Sequence, residues 1–258
     1  MRGIDHDATF ETYLRDADAL FAGWDFSYLS RAERMQTSPW AWSYGSLVIP
    51  LARNASALLD LGTGGGEFLA SLQPLPPVTV ATEGFAPNVP LARERLEPLG
   101  ARMVKVDDDG QLPLEDGTFD LVINRHESYD PAEVLRVLRP GGTFITQQVG
   151  GEDDLDLNRL LGADVPHPYA HWTATHASDE LRAAGFELLH QREAFPFTRF
   201  YDVGAIAYYL KAVPWQIPDF SVERYRDQLR ALHDRLAAEG YVDIRNHRFL
   251  LIARKPGG

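Results

Sequence analysis

The sequence predicts an α/β fold, with a mostly parallel seven-stranded sheet, helices on both faces and a helical cap. Two observations support this prediction. Between residues 56 and 149, short apolar runs alternate with helical patterns, which is typical of parallel strands covered by helices on both faces. A glycine-rich turn, residues 62–66, follows the first of these runs directly. Glycine lets such a turn adopt positive φ and lets its backbone approach a ligand closely.

The individual elements follow from local patterns of apolar residues and caps. One helix is expected to begin with Asp130 as its N-cap and Pro131 as its first residue, with Glu133 three residues after the cap. Another is expected to begin at Ser178 or Asp179. The predicted strands cover residues 56–61, 77–83, 101–106, 119–124, 143–149, 186–195 and 249–253, the last starting as early as residue 244. The predicted helices cover residues 9–22, 67–72, 87–96, 130–138, 155–161, 178–184, 203–210 and 222–238.

These elements divide the chain into four expected segments. Residues 1–55 form an N-terminal helical and aromatic segment, and residues 56–195 form the core that contains most of the sheet. Residues 196–240 are an insertion too long for a hairpin turn, so we expect a helical cap over the edge of the sheet. Residues 241–258 then supply the final strand of the core.

Composition narrows the classes of function. The 258 residues carry a formal net charge of −12, and such a surface repels nucleic-acid phosphates. The chain has no cysteine, which excludes a disulfide, a zinc–thiolate site and a thiol nucleophile. The first residues are polar, so we expect no secretory signal, and no apolar stretch is long enough to predict a membrane span. We therefore expect a cytoplasmic protein with no membrane partner.

The glycine turn indicates a ligand other than a dinucleotide or a polyphosphate. It departs from the dinucleotide pattern G-x-G-x-x-G because Glu67 takes the last position, where its carboxylate would face the pyrophosphate. No G-K-[ST] follows, so it is not a phosphate-binding P-loop. Glu83 lies 21 residues after Gly62, the spacing at which an acid in nucleotide-type folds accepts hydrogen bonds from ribose. The alternatives are an ordinary turn and an ordinary surface glutamate.

Several ordered motifs resemble those of the class I S-adenosylmethionine (SAM)-dependent methyltransferases. Residues 58–66, LLDLGTGGG, are similar to the SAM loop of that family, and Glu83 matches its ribose-binding acid. Residues 111–120, QLPLEDGTFD, and residues 134–142, VLRVLRPGG, are similar to stretches of the ubiquinone/menaquinone-type small-molecule methyltransferases. This resemblance implies that residues 56–195 form a Rossmann-like, SAM-binding core.

The resemblance also implies which residues bind the cofactor. The glycine backbone approaches the methionine part of SAM, and Asp60 favours its ammonium group. Glu83 holds the ribose, and Asp108 lies near the adenine amino group. The full set of expected cofactor residues is Asp60, Gly62, Thr63, Gly64, Gly66, Glu83, Asp107, Asp108 and Asn124.

His126 and Glu127, which follow the fourth predicted strand, are the candidate catalytic residues. His126 is expected to act as a general base, since an unperturbed imidazole titrates near neutral pH, and Glu127 to orient it or act in its place. The alternative is a structural ion pair between Arg125 and Glu127, with His126 packed under the cap. We expect no metal, because the histidines after the fifth strand lie in an irregular loop.

The expected substrate is a small, partly apolar molecule in an enclosed site, because aromatic side chains dominate such sites. The candidate substrate-binding residues are Trp24, Trp40, Trp42, Gln147, Gln148, Tyr169, His171 and Trp172. The alternative is that these aromatic side chains pack onto the core. Two other functions stay open: methylation of RNA, and SAM binding without turnover by a sensor or scaffold.

Overall fold

The computed structural model describes residues 6–21, 26–106 and 111–257. Contacts within the chain divide it into two compact units. The helical unit comprises Met1–Ala41, Gly151–Ala170 and Phe195–His247, and the sheet unit comprises Trp42–Gly150, His171–Ala194 and Arg248–Gly258. Each unit is thus built from three separate stretches of chain, and each has its own cluster of buried apolar side chains.

Strands and helices are numbered along the chain. The strands are β1 Met35–Thr37, β2 Ala57–Leu61, β3 Val78–Glu83, β4 Arg102–Lys105, β5 Phe119–Arg125, β6 Leu138–Val149, β7 Glu187–Ala194, β8 Phe197–Phe200, β9 Val242–Arg245 and β10 Arg248–Arg254. The helices are α1 His6–Asp16, α2 Ser27–Ser30, α3 Tyr44–Asn54, α4 Glu67–Ser71, α5 Asn88–Leu96, α6 Pro131–Val137, α7 Leu155–Leu161, α8 Ala174–Ala184, α9 Val203–Ala212 and α10 Arg226–Glu239.

The sheet unit contains the seven-stranded sheet, in the order β4-β3-β2-β5-β6-β10-β7. The ladders from β4 to β6 are all parallel, and β10 runs antiparallel to both β6 and β7. The predicted Rossmann-like fold, with a mostly parallel seven-stranded sheet, is therefore confirmed. All five residues of β2 are buried, which is why this strand appears in the sequence as a nearly continuous apolar run.

The order of strands brings the candidate site to one edge of the sheet. Parallel neighbours end on the same side, and ligands of open α/β sheets bind outside those carboxyl ends. The glycine turn follows β2, and Glu83 is the last residue of β3. Asn124 and Gln147 lie near the ends of β5 and β6, in ladders that pair Leu61 with Asn124 and Arg125 with Gln147.

Two helices of the sheet unit show where local prediction succeeds and fails. The carboxylate of Asp130 accepts a hydrogen bond from the backbone of Ala132 at 2.7 Å, so it caps α6 as predicted. Helix α8 begins at Ala174 instead of at Ser178 or Asp179, because the Thr173 side chain caps it by accepting from the backbone of His176. Ser178 instead lies buried in the middle of α8.

The helical unit contains a small antiparallel sheet, in the order β1-β8-β9, together with five helices: α1, α2, α7, α9 and α10. Strand β9 pairs with β8, while the final strand of the larger sheet begins only at Arg248. The expected start of that last strand near residue 244 is therefore wrong.

The carboxylate of Asp202 lies at the N-terminus of α9. It accepts two hydrogen bonds from Arg34, at 2.6 and 2.7 Å, and it also caps the helix.

The four segments expected from the sequence stay a prediction, and the two units cut across them. Helix α3, for instance, lies within the expected segment 1–55 but belongs to the sheet unit. Among the described residues, no helix combines the length and the apolar character needed to cross a bilayer.

Candidate functional site

The glycine turn has the backbone that its sequence predicts. Gly62, Gly64 and Gly66 adopt φ of +68°, +62° and +81°. The turn is tied to β3, since the backbone of Thr63 donates to the carbonyl of Thr82 at 2.9 Å. A Cβ on Gly64 would meet no atom within 4 Å, so this part of the turn faces open space. A Cβ on Gly66 would lie 2.8 Å from Leu96, which is fully buried.

Asp60 lies at the end of β2, directly before the turn, and is 5% exposed. Its carboxylate accepts a hydrogen bond from the hydroxyl of Thr63 at 2.7 Å. Burial raises the pKa of the Asp60 carboxyl from 3.8 to about 6, and the negative charge of Glu83 adds to the rise. The hydrogen bond from Thr63 and the charge of Arg125 oppose it. The site therefore lacks enough positive charge to balance this carboxylate.

Glu83, the last residue of β3, is a second buried carboxylate beside the turn, at 3% exposure. Its Oε1 accepts a hydrogen bond from the backbone of Phe85 at 2.8 Å. Within the described ranges, no arginine, lysine or histidine forms an ion pair with Asp60 or Glu83. Buried charges are ordinarily paired, so two buried acids of this kind favour a ligand that brings positive charge or hydrogen-bond donors.

Asn124 is fully buried at the centre of a polar network between β5 and β6. Its amide donates to the carbonyl of Leu61 at 3.3 Å, and its Oδ1 accepts from Thr146 at 2.6 Å and Gln148 at 2.7 Å. The hydroxyl of Tyr44 donates to the Asn124 carbonyl at 2.9 Å. These partners hold the end of β5 against the start of the glycine turn.

His126 follows β5 with φ of +62°, a left-handed conformation that is uncommon outside glycine. Its Nε2 lies 3.0 Å from Nε2 of Gln147, and the Oε1 of Gln147 accepts from the indole of Trp42 at 2.8 Å. Loss of solvation, with the positive charges of Arg248 and Arg125, lowers the pKa of His126 below its usual 6.5. The imidazole is therefore neutral at pH 7, although the residue keeps solvent-exposed surface.

Glu127 lies against the turn, where a Cβ on Gly62 would collide with its side chain. Its Oε1 accepts from the backbone of Ser128 at 2.9 Å. The alternative ion pair between Arg125 and Glu127 is not formed among the described residues. The guanidinium of Arg125 instead lies over the ring of Phe68, 5.6 Å from its centroid.

The structure places the remaining predicted residues in different surroundings. Trp42, Gln147 and Gln148 are buried, and Trp172 packs its ring against Phe249 at 5.6 Å, whereas His171 is exposed. Trp40 and Tyr169 belong to the helical unit. Trp24, Asp107 and Asp108 lie outside the described residues. The binding and catalytic roles assigned to all these residues stay predictions.

Sequence reasoning missed three contributors to the site. Tyr44 reaches the end of β5 from α3, and burial keeps its pKa well above 10, so its hydroxyl stays a donor. Thr82 anchors the turn, since the backbone of Gly62 donates to its hydroxyl at 3.3 Å. Arg125 is the positive charge that opposes the high pKa of Asp60. Only Thr82 gave a usable signal, as a polar residue at the end of a buried apolar strand.

Comparison with known proteins agrees with this geometry. Residues 59–146 match a family model described as a methyltransferase domain. Over 170 residues the chain is 35% identical to an uncharacterized 37.1 kDa protein of transposon TN4556 from Streptomyces fradiae, covering 61% of this chain and 46% of that protein. Over 114 residues it is 32% identical to protein-L-isoaspartate O-methyltransferase of Cellvibrio japonicus, covering 43% of this chain and 51% of that one. The chain thus spans about half the length of these curated relatives.

A solved structure shares the fold. It is a Bacillus halodurans protein with a provisional methyltransferase assignment, and it superposes with a TM-score of 0.57 at 20% identity, covering 83% of this chain and 100% of that one. Likeness at this identity concerns the fold alone.

The residues present also fit the cofactor of that fold. SAM carries a positive sulfonium and a positive ammonium group, and the turn presents two buried acids without cationic partners among the described residues, next to open space at Gly64. Residues 59–146 are thus similar to a methyltransferase domain, and the order of the sheet and the residues at the turn fit S-adenosylmethionine as the cofactor.

Proposed function

We propose that this chain transfers a methyl group from SAM to a small, partly apolar molecule. One observation carries the proposal: Asp60 and Glu83 are buried at the ends of the neighbouring strands β2 and β3, beside the glycine turn, and neither forms an ion pair with a described residue. When bound, SAM supplies a methyl group activated by its sulfonium. Asp60 would face the positively charged amino-acid part, and Glu83 would accept hydrogen bonds from the ribose hydroxyls.

Charge supports a small molecule as the acceptor. The chain carries a net charge of −12, and RNA binding would require clustered arginine and lysine side chains to neutralise phosphates. In helix α10 the basic residues alternate with acidic ones, and Arg235 pairs with Glu239 within the same helix. This pattern is typical of a solvated helix face.

SAM binding tests the first half of the proposal. We expect Glu83→Gln to weaken SAM binding, measured by calorimetry, by about 1–3 kcal/mol, because the substitution removes a charged hydrogen-bond acceptor. Glu67→Gln is the matched control: Glu67 begins α4 directly after the turn, but it is exposed and paired with Arg95. Equal effects of the two substitutions, or no binding by the unaltered chain, would contradict the proposed cofactor site.

Turnover tests the second half. Formation of S-adenosylhomocysteine should be detected with members of a panel of small aromatic and apolar hydroxyl or amine compounds, and not with total RNA. Formation with RNA alone would favour RNA methylation. Tight SAM binding without turnover on either kind of acceptor would favour a sensor or scaffold.

A further inference from the structure

Two consecutive hydrogen bonds connect the side chains of Trp42, Gln147 and His126. The indole of Trp42 donates to Oε1 of Gln147 at 2.8 Å, and Nε2 of Gln147 lies 3.0 Å from Nε2 of His126. Trp42 is 8% exposed and Gln147 is 1% exposed, so water competes little with the bond between them, whereas His126 lies at the exposed end. All three residues belong to the sheet unit.

The direction of these hydrogen bonds follows from the indole. A tryptophan N–H can only donate, so the amide atom of Gln147 that faces it must be the oxygen. The opposite end of the amide is then its NH₂ group, which can only donate. His126 Nε2 must therefore accept, which requires a lone pair on Nε2 and, in a neutral ring, the proton on Nδ1.

The main chain holds the same geometry. The backbone of His126 donates to the carbonyl of Gln147 at 2.8 Å, directly beyond the ladder pair of Arg125 and Gln147. His126 also adopts φ of +62°, and a histidine in this region persists only where its surroundings impose it. Gln147 therefore binds His126 through both its backbone and its side chain.

We propose that Trp42 and Gln147 are positioning residues that lock His126 as the neutral Nδ1–H tautomer, with its Nε2 lone pair already engaged. In this state His126 donates from Nδ1 and accepts no proton, so it is not the general base of the reaction. Trp42 and Gln147 consequently act beneath the site instead of contacting the substrate. This proposal deepens the proposed methyl transfer and rests on it for its catalytic meaning.

Nitrogen NMR of the cofactor-free protein tests the lock without any reaction. The chain has eight histidines, and the ring signals of His126 are identified by their loss in His126→Asn. At pH 7.5 we expect a pyrrole-type Nδ1 and a pyridine-type Nε2. A protonated Nε2, in either a neutral or a charged ring, would overturn the proposal.

Two substitutions sharpen this test. Gln147→Glu replaces the NH₂ group by a carboxylate oxygen, which only accepts, so the His126 proton should move to Nε2 or a second proton should bind. Trp42→Phe removes the donor that orients the amide, so the ring signals should shift toward a mixture of tautomers. Unchanged His126 signals in both variants would overturn the lock.

Turnover separates the lock from base catalysis. Asparagine tolerates the left-handed backbone at this position but cannot act as a base, so His126→Asn should keep turnover within about 10-fold. Loss of a general base would instead lower turnover by about 10²–10⁴-fold with unchanged SAM affinity, and that result would overturn the proposal. The NMR experiment needs no turnover, so it tests the proposed tautomer of His126 even if the protein transfers no methyl group.

Discussion

The buried carboxylate of Asp60 should lower the stability of the protein at neutral pH. Its carboxyl is buried beside Glu83, and its pKa rises from 3.8 to about 6 on folding. Below pH 3.8 the group is protonated in both states and costs nothing. As pH rises, the unfolded chain ionises first, so stability is lost between pH 3.8 and 6 and stays lost above pH 6.

The size of this effect follows from the shift. A shift of about two pKa units corresponds to roughly 3 kcal/mol at pH 8, at about 1.4 kcal/mol per unit. Asparagine removes the charge and keeps an oxygen that accepts from Thr63. We therefore expect Asp60→Asn to raise the free energy of unfolding by about 1–3 kcal/mol at pH 8, and the gain to fade between pH 6 and pH 4.

Urea unfolding of both proteins across this pH range measures the effect. Asp120→Asn is the control of opposite sign, since Asp120 pairs with Arg139 at 2.7 Å and accepts from the backbone of Ser56 and Ala57. That substitution should destabilise by about 1–3 kcal/mol at pH 8. If Asp60→Asn were also destabilising at pH 8, the account of Asp60 as an uncompensated charge would be refuted.

Two further predictions concern the turn and the helical unit. Gly64→Ala and Gly66→Ala both impose positive φ on alanine, costing about 1–2 kcal/mol each, but only the second also overpacks Leu96, adding about 1–3 kcal/mol. Gly66→Ala should therefore unfold at clearly lower urea, whereas Gly64→Ala should chiefly weaken SAM binding; equal stability losses would contradict this. Asp202→Asn keeps the cap of α9 but leaves the Arg34 charge without its carboxylate, so it should cost about 3 kcal/mol in unfolding free energy, and a loss below about 1 kcal/mol would refute the role of the pair.

The larger sheet could be predicted because strands that are buried on both faces appear in the sequence as nearly continuous apolar runs. Strand β2 is buried at every residue, and the glycine turn after it needs positive φ at three positions. The small sheet escaped prediction because its strands have three or four residues each. Its pairing also joins distant parts of the chain, as in the ladder between Thr37 and Thr198.

The sequence predicts the positions of candidate site residues only where these lie at the ends of buried strands. Glu83 and Asn124 follow from their places in buried strands, and both lie at the carboxyl edge of the sheet. The partners of His126 could not be foreseen, since Trp42 and Gln147 are separated by 105 residues and meet only through tertiary packing. Loss of solvation and the positive charges of Arg248 and Arg125 lower the pKa of His126, a change that no residue spacing signals.

Proton release on SAM binding tests whether Asp60 faces the positive charge of the cofactor. If the positive charge of SAM lies beside Asp60, binding favours the ionised carboxyl, so about half a proton should leave at pH 6, where the free group is about half protonated. Calorimetry in two buffers of different ionisation enthalpy measures this number. We expect the release in the unaltered chain, little of it at pH 8, and none from this group in Asp60→Asn. Equal proton release by both proteins at pH 6, or no SAM binding, would contradict a site in which Asp60 faces the positive charge of SAM.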